Sequence, residues 1–578
     1  YFLFGDNDFT ARIPAALFSI ATVAFLWYYR RYLGRAGALV AAALMLISPY
    51  MLFYGRYVRN EAFVAFFGVV TIWAILRYIE TGRARFLYLL TAITALHFTT
   101  KETAFIYTAQ ALIFLAFYLV YRLSKQVWRD PSKRNNFLIA LMVALLFVAG
   151  AGGAYLWGHG AQAISAEETA APAVPGQELT QAAQGGVSNA LSLILLGVAA
   201  FALLVAMYFL IDGYGWQALR NERSLGIIVV LFTMVLPMLA PFPASALGFN
   251  ARNYSDPQTI TVVAILIAVL VGIAVAIGMS WNWRLWLINA AIFYAIFTVF
   301  YTTLFTNGIG FITGLVGSLA YWLEQQGVNR GSQPLYYYAL IQIPVYEFLP
   351  ALGSLLALVL VVFRKKPVQK TTDTEETQTT LESEAHPSLT IEDAEVERTE
   401  SPPTLALIGY WVITSLLAYS VAGDKMPWLT VHITMPMILL SGWSIGYLIE
   451  RTDWSLFRDR RGWLILILLP IFMISLAAAM GSLLGINRPF QGKTLDELRA
   501  TSTFVTSLLV AVGSGVGLAY LIRPWRTDQF VRVATLFVFA VLGVLTVRTA
   551  VRAAYINYDN AKEYLVYAHS APGVKEAL

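Results

Sequence analysis

Long runs of apolar residues separated by short polar turns dominate the chain. A helix needs about 17–25 such residues to cross a bilayer core. Sixteen stretches qualify as expected helices: 12–30, 36–54, 62–80, 86–100, 102–122, 137–157, 188–212, 225–244, 258–279, 285–304, 346–364, 404–421, 432–450, 463–486, 503–522 and 531–549. The fourth is short. The runs are unbroken rather than alternating, which excludes a transmembrane β-barrel. The pattern predicts an all-α, polytopic transmembrane helical protein.

Two polar insertions interrupt it. Residues 158–187 are rich in Ala, Gly, Pro and Gln and read as a flexible outer loop. Residues 365–403 read as a disordered acidic cytoplasmic linker, with ten acids and one Arg between 371 and 403. They separate a front transmembrane module, 1–364, from a back module, 404–553. Residues 305–345 combine glycines with Tyr321, Trp322 and Tyr336–Tyr338, side chains that favour the membrane interface. They are expected to form an interfacial outer segment. Residues 554–578 read as the start of an extracytoplasmic C-terminal segment. The chain begins at Tyr1, without Met, and the natural protein is expected to extend beyond both ends.

Composition sharpens the class. Of 578 residues, 58% are hydrophobic and 13% charged, about half the charged share of a soluble protein. A mean hydropathy of +0.64 agrees. These values exclude a soluble enzyme and a disordered protein. The absence of cysteine removes disulfides, thiolate catalysis and iron–sulfur clusters. Five scattered histidines leave little scope for a histidine metal site. With Tyr1 outside, the alternate loops that fall inside hold most of the 40 Lys and Arg residues, so both visible ends are expected to be extracytoplasmic. No basic amphipathic patch points to nucleic acid.

Charged residues at outer span ends are the candidate chemistry, because a charge near lipid must pair or face a cavity. YGRYVRNEAF carries Arg56, Arg59 and Glu61, and reads either as an ion or phosphate site or as a membrane-edge salt bridge. HFTTKETAF carries Lys101 and Glu102 in a very tight turn: a phosphate-neutralising cation or a turn-anchoring pair. His97, one turn earlier, reads as a hydrogen-bonded helix residue. SVAGDKMPWLTVHITMP carries Asp424, Lys425, Pro427, Trp428 and His432, where Pro427 frees backbone groups. The outer segment offers Arg330, Tyr336–Tyr338 and Glu347, suited to a sugar or isoprenoid chain or simply to lipid anchoring. Asp6 and Asp8 precede Arg12 and are read as capping a helix that opens near Thr10.

LFGDNDFTARIPAALFSI, a basic turn, SPYMLFYGRYVRNEAFVAFF and TTKETAF together resemble the front half of the GT-C glycosyltransferases. The resemblance is to the branch of protein mannosyltransferases and lipid A aminoarabinose transferases. YWLEQQGVNRGSQPLYYY and GDKMPWLTVHITMP resemble the flippase-activity-associated membrane proteins of prokaryotic N-glycosylation clusters. The resemblance implies a GT-C-like fold in a prokaryotic plasma membrane. It implies sugar transfer from a polyprenyl-phosphate donor to a protein or glycan acceptor on the extracytoplasmic face. Membrane lipids and membrane-complex subunits are the other implied partners. It also implies that the general-base aspartate lies upstream of Tyr1, so neither Asp6 nor Asp8 takes its place. Glu61 matches the second acidic position, where some relatives hold a divalent metal ion, the only cofactor implied. Arg56, Arg59, Lys101 and Lys425 match positions near the lipid phosphate. His432 matches the end of the back-half motif, and Glu102 and Arg330 join the candidate substrate site from their place at the outer edge. A non-catalytic flippase-associated protein and a structural subunit are the competing readings.

Overall fold

The computed structural model describes residues 5–168, 178–326, 333–363, 400–423, 425–459, 462–485, 488–523 and 525–567. Among them no strand occurs. The helices are α1 (Asp8–Leu33), α2 (Arg35–Ile47), α3 (Pro49–Tyr54), α4 (Glu61–Thr81), α5 (Ala84–Phe98) and α6 (Thr103–Lys125). Next come α7 (Pro131–Glu168), α8 (Glu178–Tyr214), α9 (Arg223–Ala246) and α10 (Pro257–Tyr301). α11 (Ser318–Gln326), α12 (Tyr337–Tyr346) and α13 (Phe348–Phe363) follow. The last five are α14 (Thr404–Val421), α15 (Pro427–Arg451), α16 (Trp463–Leu484), α17 (Leu495–Ile522) and α18 (Thr527–Ile556).

Among the described residues, 12 helices are long and apolar enough to cross a membrane, or 13 if α12 and α13, bent by 108°, form one span. Sixteen were expected, and the difference has local causes. Residues 36–54 split into α2 and α3, because Ser48 is extended ahead of Pro49 and caps α3 by accepting the Met51 N–H at 3.2 Å. With 13 residues α2 is short for a crossing, and so is α5 with 15. The two stretches expected at 258–279 and 285–304 are both helical and meet at a kink inside the 45-residue segment α10, which counts once among the 12. It breaks at Asn282 (φ −159°, ψ 96°), whose side chain accepts the Leu285 N–H at 3.1 Å and restarts the helix.

α7 runs to Glu168 and α8 starts at Glu178, so helix extends into the segment expected as a loop at 158–187. The Ala- and Gln-rich flanks favour helix. Residues 169–177 lie outside the described residues, as do 364–399 of the acidic linker and 568–578. At the start of the chain, Asn7 rather than an aspartate caps α1. Its side chain accepts the Thr10 N–H at 3.0 Å, and Thr10 Oγ1 accepts the Asn7 N–H in return at 3.3 Å.

The chain divides into two compact units, one of residues 1–107, 250–252 and 294–578, the other of 108–249 and 253–293. In the first, α4 and α15 are central: 83% and 100% of their apolar windows are buried, against 17% for α16, α17 and α18. α15 packs on α2 through small residues. A Cβ on Gly446 would come within 2.3 Å of the Gly37 Cα, and one on Gly442 within 2.6 Å of the Ala41 Cβ. The Gly442-xxx-Gly446 spacing is the small-residue pattern that lets membrane helices approach closely. On the α13 side, the Ser441 hydroxyl donates to the Pro350 carbonyl at 2.6 Å and Ser444 to Gly353 at 2.7 Å. In the second unit, the Trp286 indole N–H donates to Thr233 Oγ1 at 2.8 Å, and Lys133 pairs with Asp212.

Candidate functional site

The turn from Gly55 to Asn60 joins α3 to α4 and carries Arg56 and Arg59; Glu61 is the first residue of α4. A carboxylate there is favoured by the positive end of the helix dipole. Glu61 is fully buried. Lys101 binds its Oε1, and the Arg59 Nε donates to its Oε2 at 3.3 Å. Lys101 is presented by the turn before α6, where the Lys101 and Thr100 N–H groups both bond the His97 carbonyl, at 2.9 and 3.0 Å. The Asn60 side-chain N–H ties the two turns together by donating to the Thr100 carbonyl at 2.9 Å. Burial pushes the Lys101 ammonium below the usual lysine range, and the Glu61 carboxylate opposes that shift. Glu102 lies beside Lys101, half-buried, and adds no bond to the cluster.

Two aromatic rings hold the arginines. The Arg59 guanidinium lies 3.6 Å from the Trp428 ring centroid, and Arg56 lies 4.0 Å from that of Tyr555. Arg56 also donates to the Ala554 carbonyl at 3.0 Å. The Tyr54 hydroxyl donates to the Leu565 carbonyl at 2.9 Å, and Tyr567 meets Trp428 edge-on at 5.0 Å. Residues 554–567 therefore lie against the cation cluster.

Beside the cluster is a cavity of about 430 Å³ lined by Ala16, Ile20 and Val23 of α1, by Met45 and Leu46 of α2, and by Met51 of α3. Its charged lining residues are Arg56 and Glu61. An aliphatic cavity bordered by a guanidinium and a cation-bound carboxylate suits an amphiphile with an apolar tail and an anionic head.

The remaining expected residues lie elsewhere. Lys425 is nine-tenths buried and lines a separate cavity of about 510 Å³ with Tyr337 and Lys562. It is Trp428, three residues on, that reaches the cluster. His432 is fully buried inside α15. Its Nδ1 pairs with the Tyr107 hydroxyl at 3.1 Å, and Tyr419 stacks on its ring at 5.1 Å. His97 Nε2 pairs with Thr103 Oγ1 at 3.2 Å. Glu347 is fully buried at the α12–α13 bend, accepting the Ser48 hydroxyl at 2.6 Å and the Tyr50 N–H at 2.9 Å. It anchors the start of α3, which leads into Arg56. Arg330 and Asp424 lie outside the described residues.

A divalent metal ion does not fit Glu61 in this arrangement. Both of its oxygens already hold cations, and among the described residues no group of three His, Cys, Asp or Glu assembles. Sequence reasoning missed Tyr54 and Tyr555. Tyr555 stands about 500 positions from Arg56, beyond any local spacing signal.

Residues 1–151 match the dolichyl-phosphate-mannose-protein mannosyltransferase family. The matched region contains Arg56, Arg59, Glu61, Lys101 and Glu102, but not Lys425 or His432. No curated protein and no solved structure matches the chain significantly. The match, together with the many apolar helices, supports an integral membrane glycosyltransferase of the GT-C type.

Proposed function

We propose that the protein transfers a sugar from a polyprenyl-phosphate donor to a protein or glycan acceptor on the extracytoplasmic face of a prokaryotic plasma membrane. The observation that carries this reading is the aliphatic cavity whose charged lining residues are Arg56 and Glu61, the latter paired with Lys101 and Arg59. The isoprenoid chain occupies the cavity, and the phosphate meets Arg56 first. The Lys and Arg distribution along the loops supports the sidedness.

In the transfer, the bond from the sugar carbon to the phosphate oxygen breaks, a glycosidic bond forms, and polyprenyl phosphate leaves as a monoester that takes up the acceptor's proton or releases it to solvent. Charge grows on the departing phosphate, and fixed cations lower that barrier because they are already oriented. Glu61 is a positioning residue here. With both oxygens engaged, it holds Lys101 and Arg59 and yields them as the phosphate competes for their donors. It is poorly disposed to accept the acceptor's proton. No step in this scheme runs through a metal ion.

The test is reconstitution of the protein in liposomes with an undecaprenyl-phosphate hexose, following release of undecaprenyl phosphate. Arg56→Gln and Lys101→Met should each weaken donor binding by about 10- to 100-fold, the worth of a charge-assisted hydrogen bond. Movement of the lipid-linked sugar across the bilayer without release, equal in wild type and variants, would overturn the transferase reading in favour of a flippase-associated role.

A further inference from the structure

The two ends of α18 treat their arginines differently. Residues 533–547 carry no charged side chain, and Arg532 and Arg548 flank them. Arg532 is paired: it donates to the Arg451 carbonyl at 2.6 Å and to Asp528 at 3.0 Å. Arg548 and Arg552 stand one turn apart at the other end, and both are exposed. Among the described residues, neither side chain makes an ion pair, a hydrogen bond or a ring contact. Arg56 reaches the Ala554 carbonyl, so this end of α18 lies at the end of the unit that carries the cation cluster.

Both arginines line a cavity of about 360 Å³, together with Leu545 of α18 and with Val345, Tyr346 and Phe348 at the α12–α13 bend. The one acid among its lining residues is Glu563, and both of its oxygens are taken. The Tyr346 hydroxyl donates to Oε2 at 2.6 Å, and the Asn557 side-chain N–H donates to Oε1 at 2.5 Å. Two guanidiniums therefore border this space with no free carboxylate among its lining residues. On the same face of α18, three, four and seven residues before Arg548, Leu545, Val544 and Val541 are 43%, 70% and 44% exposed. A paired-cation cavity thus stands at the end of an uncovered apolar track.

A cation at the edge of the hydrocarbon must pair or face a cavity. The guanidinium fork matches the oxygens of a phosphate ester, and acyl chains suit the apolar track below. The dipole at a helix C-terminus favours cations as such, but it calls for neither a cavity nor a second arginine one turn away. A choline headgroup would bring its own cation against the two guanidiniums. Inorganic phosphate would leave the apolar track bare. An acidic protein segment would have to carry its backbone down to the level of Val547, where unpaired peptide groups are costly.

We propose that this cavity is a headgroup site for an anionic glycerophospholipid, whose phosphate is held by Arg548 and Arg552 and whose acyl chains run along α18. The site shares no lining residue with the aliphatic cavity beside Glu61. Such a lipid binds whether or not the protein transfers sugar. Only 17% of the apolar window of α18 is buried, so the headgroup anchors an end of the helix that has few protein neighbours.

The full chain, delipidated in mild detergent, provides the test. It is titrated with dioleoylphosphatidylglycerol or dioleoylphosphatidylcholine, and bound lipid is counted by native mass spectrometry. Wild type should bind phosphatidylglycerol about tenfold or more tighter than phosphatidylcholine. Arg548→Gln and Arg552→Gln should each weaken phosphatidylglycerol binding about fivefold, and the double variant about 25-fold. Equal affinity for the two lipids, or binding unchanged in the double variant, overturns the site. Inorganic phosphate in excess should leave the bound lipid in place; displacement that the double variant abolishes would make free phosphate the ligand and overturn the lipid assignment. Undecaprenyl phosphate should bind the double variant as it binds wild type; an equal loss there would merge these arginines with the donor site and overturn a separate one. If the glutamine variants do not fold, Arg548→Lys/Arg552→Lys keeps the charge without the fork and should lose about two- to fivefold, and no loss overturns the paired-guanidinium site.

Discussion

Lys101→Met removes the cation from Oε1 of a carboxylate that has no exposed surface. Only the Arg59 Nε, at 3.3 Å, remains to compensate Glu61. Removing one partner of a buried ion pair costs about 3–5 kcal/mol. A Coulomb interaction at 4 Å with an effective dielectric of 20 comes to about 4 kcal/mol, in the same range. Glu61→Leu should cost less, because the lysine side chain keeps 14% of its surface exposed and its stem can carry the ammonium towards water. The double variant Glu61→Leu/Lys101→Met discards both charges and leaves Arg59, one-third exposed, on the Trp428 ring. It should therefore be more stable than Lys101→Met alone. Reversible denaturant unfolding in mixed micelles measures all three. A double variant whose loss equals the sum of the two single losses, to within about 0.5 kcal/mol, would refute the claim that these residues act as one buried pair.

Other outcomes follow from the packing. Glu347→Ala should lose about 1–3 kcal/mol, because the Ser48 hydroxyl and the Tyr50 N–H are left unpaired, while Glu347→Gln keeps an acceptor and should lose less; the same unfolding assay compares them. Gly446→Ala should cost about 1–3 kcal/mol, since its Cβ would lie 2.3 Å from the Gly37 backbone, whereas Gly481→Ala, with nothing within 4 Å, should be neutral or slightly stabilising. Melting temperatures of the two variants decide it. Trp428→Ala should cost about 0.5–2 kcal/mol through the lost Arg59 stack and should weaken donor binding, read as a raised Kd for undecaprenyl phosphate. Raising salt to about 0.5 M should leave the Glu61–Lys101 coupling energy intact and abolish that of the exposed Arg526–Asp528 pair, as double-variant cycles at both salts would report.

The apolar runs are sufficient to establish an all-helical membrane chain, because a backbone in lipid must satisfy its own hydrogen bonds. They also place the polar turns, and with them the chemistry: Arg56, Arg59, Glu61 and Lys101 stand out as charges at the ends of spans. What the runs leave open is continuity. Ser48 before Pro49 is a single side-chain cap, which a window of average hydrophobicity does not register, whereas the break at Asn282 falls in the gap between the stretches expected at 258–279 and 285–304. Partner choice is a tertiary matter throughout. Lys101 is 40 residues from Glu61, and Tyr555 is hundreds of residues from Arg56. Lys425, grouped with the other cations by its position at a span end, turns into a different cavity, and Trp428 takes its place at the cluster. His432 is held inside α15 by Tyr107 and Tyr419. Local pattern reports which residues cannot rest in lipid; only close packing of α2, α4 and α15 decides which of them meet, because a buried charge is tolerated solely where its counter-charge arrives.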